Sequence, residues 1–204
     1  MNEFDLWAFE KKAFKSGYRS VAGIDEAGRG PLAGPVVAAA VIWPSCSAPV
    51  SGLDDSKKLS HRKREQLYEA VYARAAAVGI GIVDPPVIDR INILQASLLA
   101  MAIAVSNLTP VPDYLLIDGT FGIDSTIPQQ PIIKGDRLSG SIAAASIVAK
   151  VSRDRIMARY DLDYPDYNFG GHKGYPTRAH RQAIRTYGIC PIHRRSFRGV
   201  KETL

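Results

Sequence analysis

Residues 20–44, SVAGIDEAGRGPLAGPVVAAAVIWP, decide how the rest of the chain is read. Val21 to Ile24 is short, apolar and β-branched, the pattern of a buried strand, and it runs straight into the adjacent carboxylates Asp25 and Glu26. Burying two like charges without partners costs several kcal/mol or forces one pKa upward. The arrangement therefore calls for a cation, a proton or Arg29 opposite them. Gly28, Arg29 and Gly30 then supply a tight turn with exposed backbone N–H groups, Pro31 to Pro35 closes it, and Val36 to Trp43 is a second, alanine-rich apolar run. The unit reads as a hairpin whose acidic end lies beside a glycine turn; an ordinary hairpin with solvent-facing carboxylates is the alternative.

Outward from this stretch, 204 residues at 46% apolar and 23% charged are the composition of a soluble globular protein, and a single mixed α/β domain over 1–204 is the simplest account. No apolar run reaches the length of a membrane span, so no membrane partner is expected. The start, MNEFDLWAFEKKAF, mixes acids and bases with aromatics and is not read as a secretory signal. Cys46 and Cys190 have no CxxC spacing and no His/Cys cluster, so neither a disulfide framework nor a structural zinc site is supported, and a cytoplasmic setting fits best. The net charge of +6 is concentrated late: from Tyr167 onward eight Lys or Arg face the single acid Glu202. The first 166 residues carry a slight acidic excess, so the basic surface belongs to the C-terminal part.

Along the chain, Leu6, Phe9, Ala13 and Phe14 suggest a short helix within residues 1–19. Ser60 caps a helix running to about Val78, Gly79 to Val83 is a short strand, and Val87 to Asn92 and Ile93 to Leu108 read as helical. Tyr114 to Ile117 is a strand that runs into Asp118-Gly119, and Pro131 to Ile133 is another, ending in Lys134-Gly135-Asp136. Ser139 to about Tyr160 is a long helix of small residues that turns basic at Lys150, Arg153 and Arg155. Asp161 to Pro176 reads as a loop, and Thr177 caps a last helix to about Tyr187.

Three strands thus end in a carboxylate next to glycine: Asp25-Glu26, Asp118 and Asp136. If the strand ends converge, four carboxylates make an oxygen-rich site suited to Mg²⁺ or Mn²⁺ rather than zinc; otherwise these acids are loop caps. Paired hard cations about 3.5 to 4 Å apart activate water and stabilise the leaving oxygen in phosphodiester hydrolysis. With a basic surface alongside to hold phosphates, that is the layout of a metal-dependent nuclease.

These residues also carry a resemblance. GIDEAGRGPLAGPV, DDSKKLS, LLIDGT, KGD followed by SIAAASIVAKVSRD, HKGYPT and HRRSF together, in this order from about Val21 to Phe197, resemble bacterial type 2 ribonuclease H. The resemblance implies an RNase H-like fold, with a mixed central sheet flanked by helices and a helical C-terminal part at about 160–204 that binds substrate. It implies cleavage of RNA in RNA/DNA hybrids and of ribonucleotide-containing duplex DNA on the 5′ side of the ribonucleotide, leaving 3′-hydroxyl and 5′-phosphate ends. Asp25, Glu26, Asp118 and Asp136 correspond to its acidic quartet, holding two divalent ions, Mn²⁺ or Mg²⁺. Gly28, Arg29 and Gly30 resemble the turn that reads the 2′-hydroxyl through backbone groups, and Tyr175 resembles the tyrosine that stacks on the sugar after the ribonucleotide. Lys57 and Lys58 resemble lysines near the substrate backbone, and His172, Lys173, Arg194 and Arg195 are assigned to phosphate contacts, with a solvated surface as the alternative. His180 and His193 are expected on a helix surface or facing phosphate.

A monomer is expected, and protein partners are not indicated. The sister type 3 enzyme carries an extra N-terminal domain, which 19 residues before the first strand cannot form. A silent nucleic-acid-binding module and a small-molecule phosphohydrolase are the other readings; the first makes the acids dispensable, and the second leaves the basic C-terminal part unexplained.

Overall fold

The computed structural model describes residues 5–44, 50, 52–53 and 59–203. Its centre is a sheet of five strands: β1 (Val21–Ala27), β2 (Val36–Ile42), β3 (Ala77–Val83), β4 (Tyr114–Asp118) and β5 (Gln129–Ile132), in the order β3-β2-β1-β4-β5. β1, β2 and β3 are antiparallel neighbours, whereas β1, β4 and β5 run parallel. The sheet is mixed, as expected. Around it lie α1 (Ala8–Lys15), α2 (His61–Arg74), α3 (Pro85–Ile91), α4 (Ile93–Ser106), α5 (Gly140–Asp163), α6 (Phe169–His172) and α7 (Arg178–Tyr187).

All of β2 is buried because helices cover both faces of the sheet, and a strand enclosed on both sides reads as a continuous apolar run. Ala22, Ile24, Val36, Ala38, Ala40 and Ile42 pack with residues of α3 and α4 on one face. Ala39 and Val41 pack with Leu67 and Val71 of α2 and with the small residues of α5 on the other. Small side chains let α5 sit close. A Cβ on Gly23 of β1 would collide with the α5 backbone at Ser141 and Ile142, so glycine there sets the separation between helix and strand.

Several boundaries shift from those expected. α2 stops at Arg74 rather than Val78, since Ala77 and Val78 pair with Ile42 and Val41; strand pairing overrides the helix propensity of the alanines. β1 runs on to Ala27, which places Asp25 and Glu26 inside the strand, paired to β2 at Ala39 and Ala38. β5 ends at Ile132, and Asp136 lies in a 3₁₀ turn, Gly135–Arg137, rather than at a strand end. The stretch 161–176 is more ordered than a loop: α5 reaches Asp163, and a 3₁₀ turn (Pro165–Tyr167) and α6 follow. That ordering comes from Tyr167 and Phe169, which stack at 5.3 Å and join Met157, Ala183 and Ile192 in a separate small core. The caps at Ser60 and Thr177 form as expected, each side chain accepting the N–H of the third residue on.

Candidate active site

The carboxyl ends of the three parallel strands meet at one edge. Ile24 pairs with Ile117, so Asp25 and Asp118 follow as neighbours on adjacent strands, and Asp118 in turn pairs with Ile132 of β5. The chain then turns through Lys134, in a left-handed conformation (φ 59°), and Gly135 N–H donates to Asp118 Oδ1 at 2.7 Å. That bond ties the turn bearing Asp136 to the end of β4. Asp25 and Asp136 are 5% and 9% exposed, so both carboxylates lie largely out of water.

Asp25 bears the electrostatic strain of this arrangement. Burial above all, then the charges of Glu26 and Asp118, push its carboxyl well above the usual aspartate range. A hydrogen bond from the Ser146 hydroxyl of α5 and one from the Glu26 N–H, at 2.7 Å, act in the opposite direction without cancelling the rise. Arg29 Nη1 is 3.4 Å from Glu26 Oε1, but its side chain is half exposed, and such a pair is weak. The donors are all carboxylate oxygens, a set that suits a hard divalent cation. Among the described residues no three acid, His or Cys side chains close around one point. An ion would relieve the strain that burial creates.

Beside this edge, the glycine turn is held by two arginines that are fully buried. Arg194 donates from Nη2 to the Gly28 carbonyl (2.6 Å), from Nη1 to that of Arg29 (3.0 Å) and from Nε to that of Gly34 (2.9 Å). Arg153 of α5 donates to the carbonyls of Pro35 (2.9 Å), Ala33 (3.1 Å) and Lys173 (3.0 Å). Burial lowers Arg194 to about 9 and Arg153 to about 10, so both remain charged at neutral pH; carbonyl dipoles compensate them, and the charges of Asp89 near Arg194 and of Asp154 near Arg153 also favour the charged forms. Gly28 has φ +99°, and a Cβ there would meet the Arg153 side chain, so only glycine fits. Gly30 is exposed, and a Cβ on it would stand 3.7 Å from the ring of Tyr175, which is itself 40% exposed. The turn and the tyrosine are thereby brought together.

Some expectations need correction. Arg194 cannot contact phosphate, because its guanidinium is buried and occupied by backbone carbonyls. His172 is also occupied: Nδ1 accepts from Gly174 N–H (3.1 Å) and Nε2 faces the Tyr167 carbonyl (2.7 Å). His180 and His193 are not surface residues but 0% and 2% exposed. His193 Nδ1 accepts from Cys190 N–H (2.9 Å), its Nε2–H donates to His180 Nε2 (3.1 Å), and His180 Nδ1–H donates to the Tyr175 carbonyl (3.0 Å). Burial lowers both to about 4, so this relay is neutral and ends on the backbone of Tyr175. Lys173 is half-buried and contributes its carbonyl to Arg153, while Arg195 is exposed, with its N–H on Asp89 Oδ2 at 2.9 Å. Lys57 and Lys58 lie outside the described residues.

Sequence reasoning missed three groups. Arg153 was legible, since Ser146, Ala149 and Met157 occupy the same helix face and are all buried. Arg194 had no such periodicity. The third is a groove of about 750 Å³ running from Gly30 and Pro176 past Arg181, Arg185 and Arg198, whose basic residues come from α7 and the segment after it.

The family model described as Ribonuclease HII matches residues 22–200. A ribonuclease HII from Geobacter metallireducens is 58% identical over 202 residues, covering 99% of this chain and 94% of the relative. The crystal structure of the ribonuclease H2 from Pyrococcus horikoshii OT3 superposes with a TM-score of 0.75 at 26% identity, covering 90% of this chain and 96% of that one. Bst-RNase HIII in complex with Mn²⁺ shares the fold, with a TM-score of 0.69 at 20% identity, covering 100% of this chain and 75% of that one.

Proposed function

The chain belongs to the ribonuclease HII family, endoribonucleases of RNA/DNA hybrids, and on that premise we propose that it also nicks duplex DNA 5′ to an embedded ribonucleotide. The observation that supports this reading is that Asp25 lies beside Glu26 and Asp118 at adjacent strand ends, with the turn bearing Asp136 tied to Asp118, next to a glycine turn that approaches Tyr175. Asp25, Glu26, Asp118 and Asp136 would hold the divalent ions, Mn²⁺ or Mg²⁺, two during catalysis. When bound, these supply water activation and neutralise charge on the scissile phosphate.

The chain's own residues do the rest. Arg153 and Arg194 hold the carbonyls of the turn inward, leaving the exposed backbone at Arg29 and Gly30 to meet the 2′-hydroxyl that distinguishes RNA from DNA. Tyr175, fixed through its carbonyl by His180, packs on the sugar that follows the ribonucleotide. Arg181, Arg185 and Arg198 in the adjoining groove, with Lys173 and Arg195, hold backbone phosphates; Lys57 and Lys58 remain candidates from sequence alone. Ribonucleotide removal from DNA is the role this chemistry serves.

The test is cleavage of a labelled DNA duplex bearing one ribonucleotide, with Mg²⁺, with Mn²⁺ and with EDTA. One metal-dependent nick 5′ to the ribonucleotide is the expected result. Cleavage of long hybrids with no nick at a single ribonucleotide would overturn the finer substrate assignment, and activity that persists in EDTA would overturn the metal reading.

A further inference from the structure

Glu10 is a carboxylate that the functional reading leaves unused, and it is 2% exposed. It sits on α1, outside the acidic quartet, and its Oε1 accepts from Ser139 Oγ (2.5 Å), Ser141 N–H (2.9 Å) and Ser141 Oγ (2.6 Å). Its Oε2 is buried and makes no hydrogen bond. All three donors belong to the first turn of α5, where unpaired N–H groups and the positive end of the helix dipole favour a carboxylate. Two further contacts close the same joint. Gly140 N–H donates to the Leu6 carbonyl at 2.9 Å, and the indole of Trp7 lies where a Cβ on Gly140 would be.

The position of this end of α5 matters at the site for three reasons. Ser139, its cap, closes the 3₁₀ turn that carries Asp136, with Ser139 N–H on the Gly135 carbonyl at 2.9 Å. Ser141 and Ile142 lie against Gly23, two residues before Asp25 on β1. Ser146, farther along α5, hydrogen-bonds the Asp25 carboxyl itself. One helix end therefore sets where Asp25 and Asp136 stand relative to each other, and Glu10 sets the helix end.

We infer that Glu10 is a positioning residue for the metal site: α1 acts as a clasp on the N-terminus of α5, and the clasp fixes the spacing of Asp25 and Asp136 that a divalent ion requires. This rests on the metal reading above. It predicts an effect on ion affinity that loss of stability by itself would not produce.

The experiment is calorimetric titration of the folded, full-length chain with Mn²⁺, without nucleic acid, alongside thermal unfolding. Removing a group that orients a ligand typically weakens metal binding by about 10-fold or more, and that is expected for Glu10→Ala. Glu10→Gln keeps the acceptor oxygen facing the three donors and places its amide where Oε2 makes no bond, so it should restore affinity to near the native value. Leu108→Ala, in the core just past the end of α4, is the control for destabilisation alone and should leave Mn²⁺ affinity unchanged. Should Glu10→Ala fail to fold, Glu10→Asp, which withdraws the carboxylate by one methylene, is judged by the same criterion. Mn²⁺ affinity within twofold of native in the folded variant, or an equal loss in the control, would overturn the inference. A native chain that takes up no Mn²⁺ would overturn the metal reading itself, so the two failures are distinguishable.

Discussion

At the carboxylate edge, Asp25 is buried beside Glu26 and Asp118, with a serine hydroxyl and one backbone N–H opposing the repulsion. At the glycine turn next to it, five carbonyls between Gly28 and Pro35 each face a guanidinium N–H of Arg153 or Arg194. The first region concentrates like charge that burial makes costly, and the second is over-determined. On the proposed function, concentrated negative charge favours uptake of a cation, whereas a rigid turn favours measuring one hydroxyl.

The sharpest way to break this comparison is to neutralise the first region and look for damage in the second. Asp118→Asn should cut the rate by about 10³-fold, ~4 kcal/mol of transition-state stabilisation, while binding of a ribonucleotide-containing duplex persists. Steady-state rates and an equilibrium binding assay read the two effects separately, and near-native turnover in the folded variant would remove Asp118 from the site.

The converse change is Arg194→Ala. It strips donors from the carbonyls of Gly28, Arg29 and Gly34, so a stability loss of about 3 kcal/mol, ~10 °C in the thermal midpoint, is expected together with weaker substrate binding. A phosphate contact would instead weaken binding and leave the midpoint unchanged. Denaturation scans therefore separate the buried role from the surface role first expected of this residue.

Acid should act on the carboxylate edge and on the histidine relay behind Tyr175 with opposite sign. His180 and His193 are depressed to about 4, below the ordinary 6.5, so their contribution to stability is present above about pH 6.5 and is lost as pH falls toward 4. Asp25 is raised, so its contribution is fully present below 3.8 and is lost as pH rises through its folded value. Fluorescence of the tyrosines around Phe169 should report loosening of the C-terminal core between pH 6.5 and 4. A signal that stays flat across that window would contradict the neutral histidine relay.

The smallest effect concerns selectivity. Tyr175→Ala should lower cleavage at a single ribonucleotide by about tenfold, ~1.4 kcal/mol, and long hybrids by less, since only the junction asks for a sugar contact at one place. Equal losses on both substrates would make Tyr175 a general packing residue.

Much of this was legible from the chain. The acids stand out because apolar runs that lead straight into carboxylates put charge where burial is costly, and GRG and HKGYPT lie in blocks that resemble a known family. The helix caps at Ser60 and Thr177 were legible because capping is local. What was hidden is tertiary. Arg194 looks like any basic residue of a charged tail until carbonyls 160 and more positions away are folded around it. His180 and His193 form a pair only once α7 and the segment after it pack together, and Glu10 gains meaning only from Ser139 and Ser141. Local patterns give elements and motifs; partners of buried polar groups depend on contacts that no periodicity encodes.

The measurement that bears most directly on the carboxylate edge is calorimetry of Mn²⁺ binding to the native chain and to Asp25→Asn, repeated from neutral to acid pH. Burial and the neighbouring charges raise Asp25 above an ordinary aspartate, so a proton competes with the ion there: the native chain should bind Mn²⁺ more tightly than Asp25→Asn and should lose affinity more steeply on acidification. Equal affinity and equal pH dependence in the two proteins would contradict the account, because the ion would then be bound without Asp25.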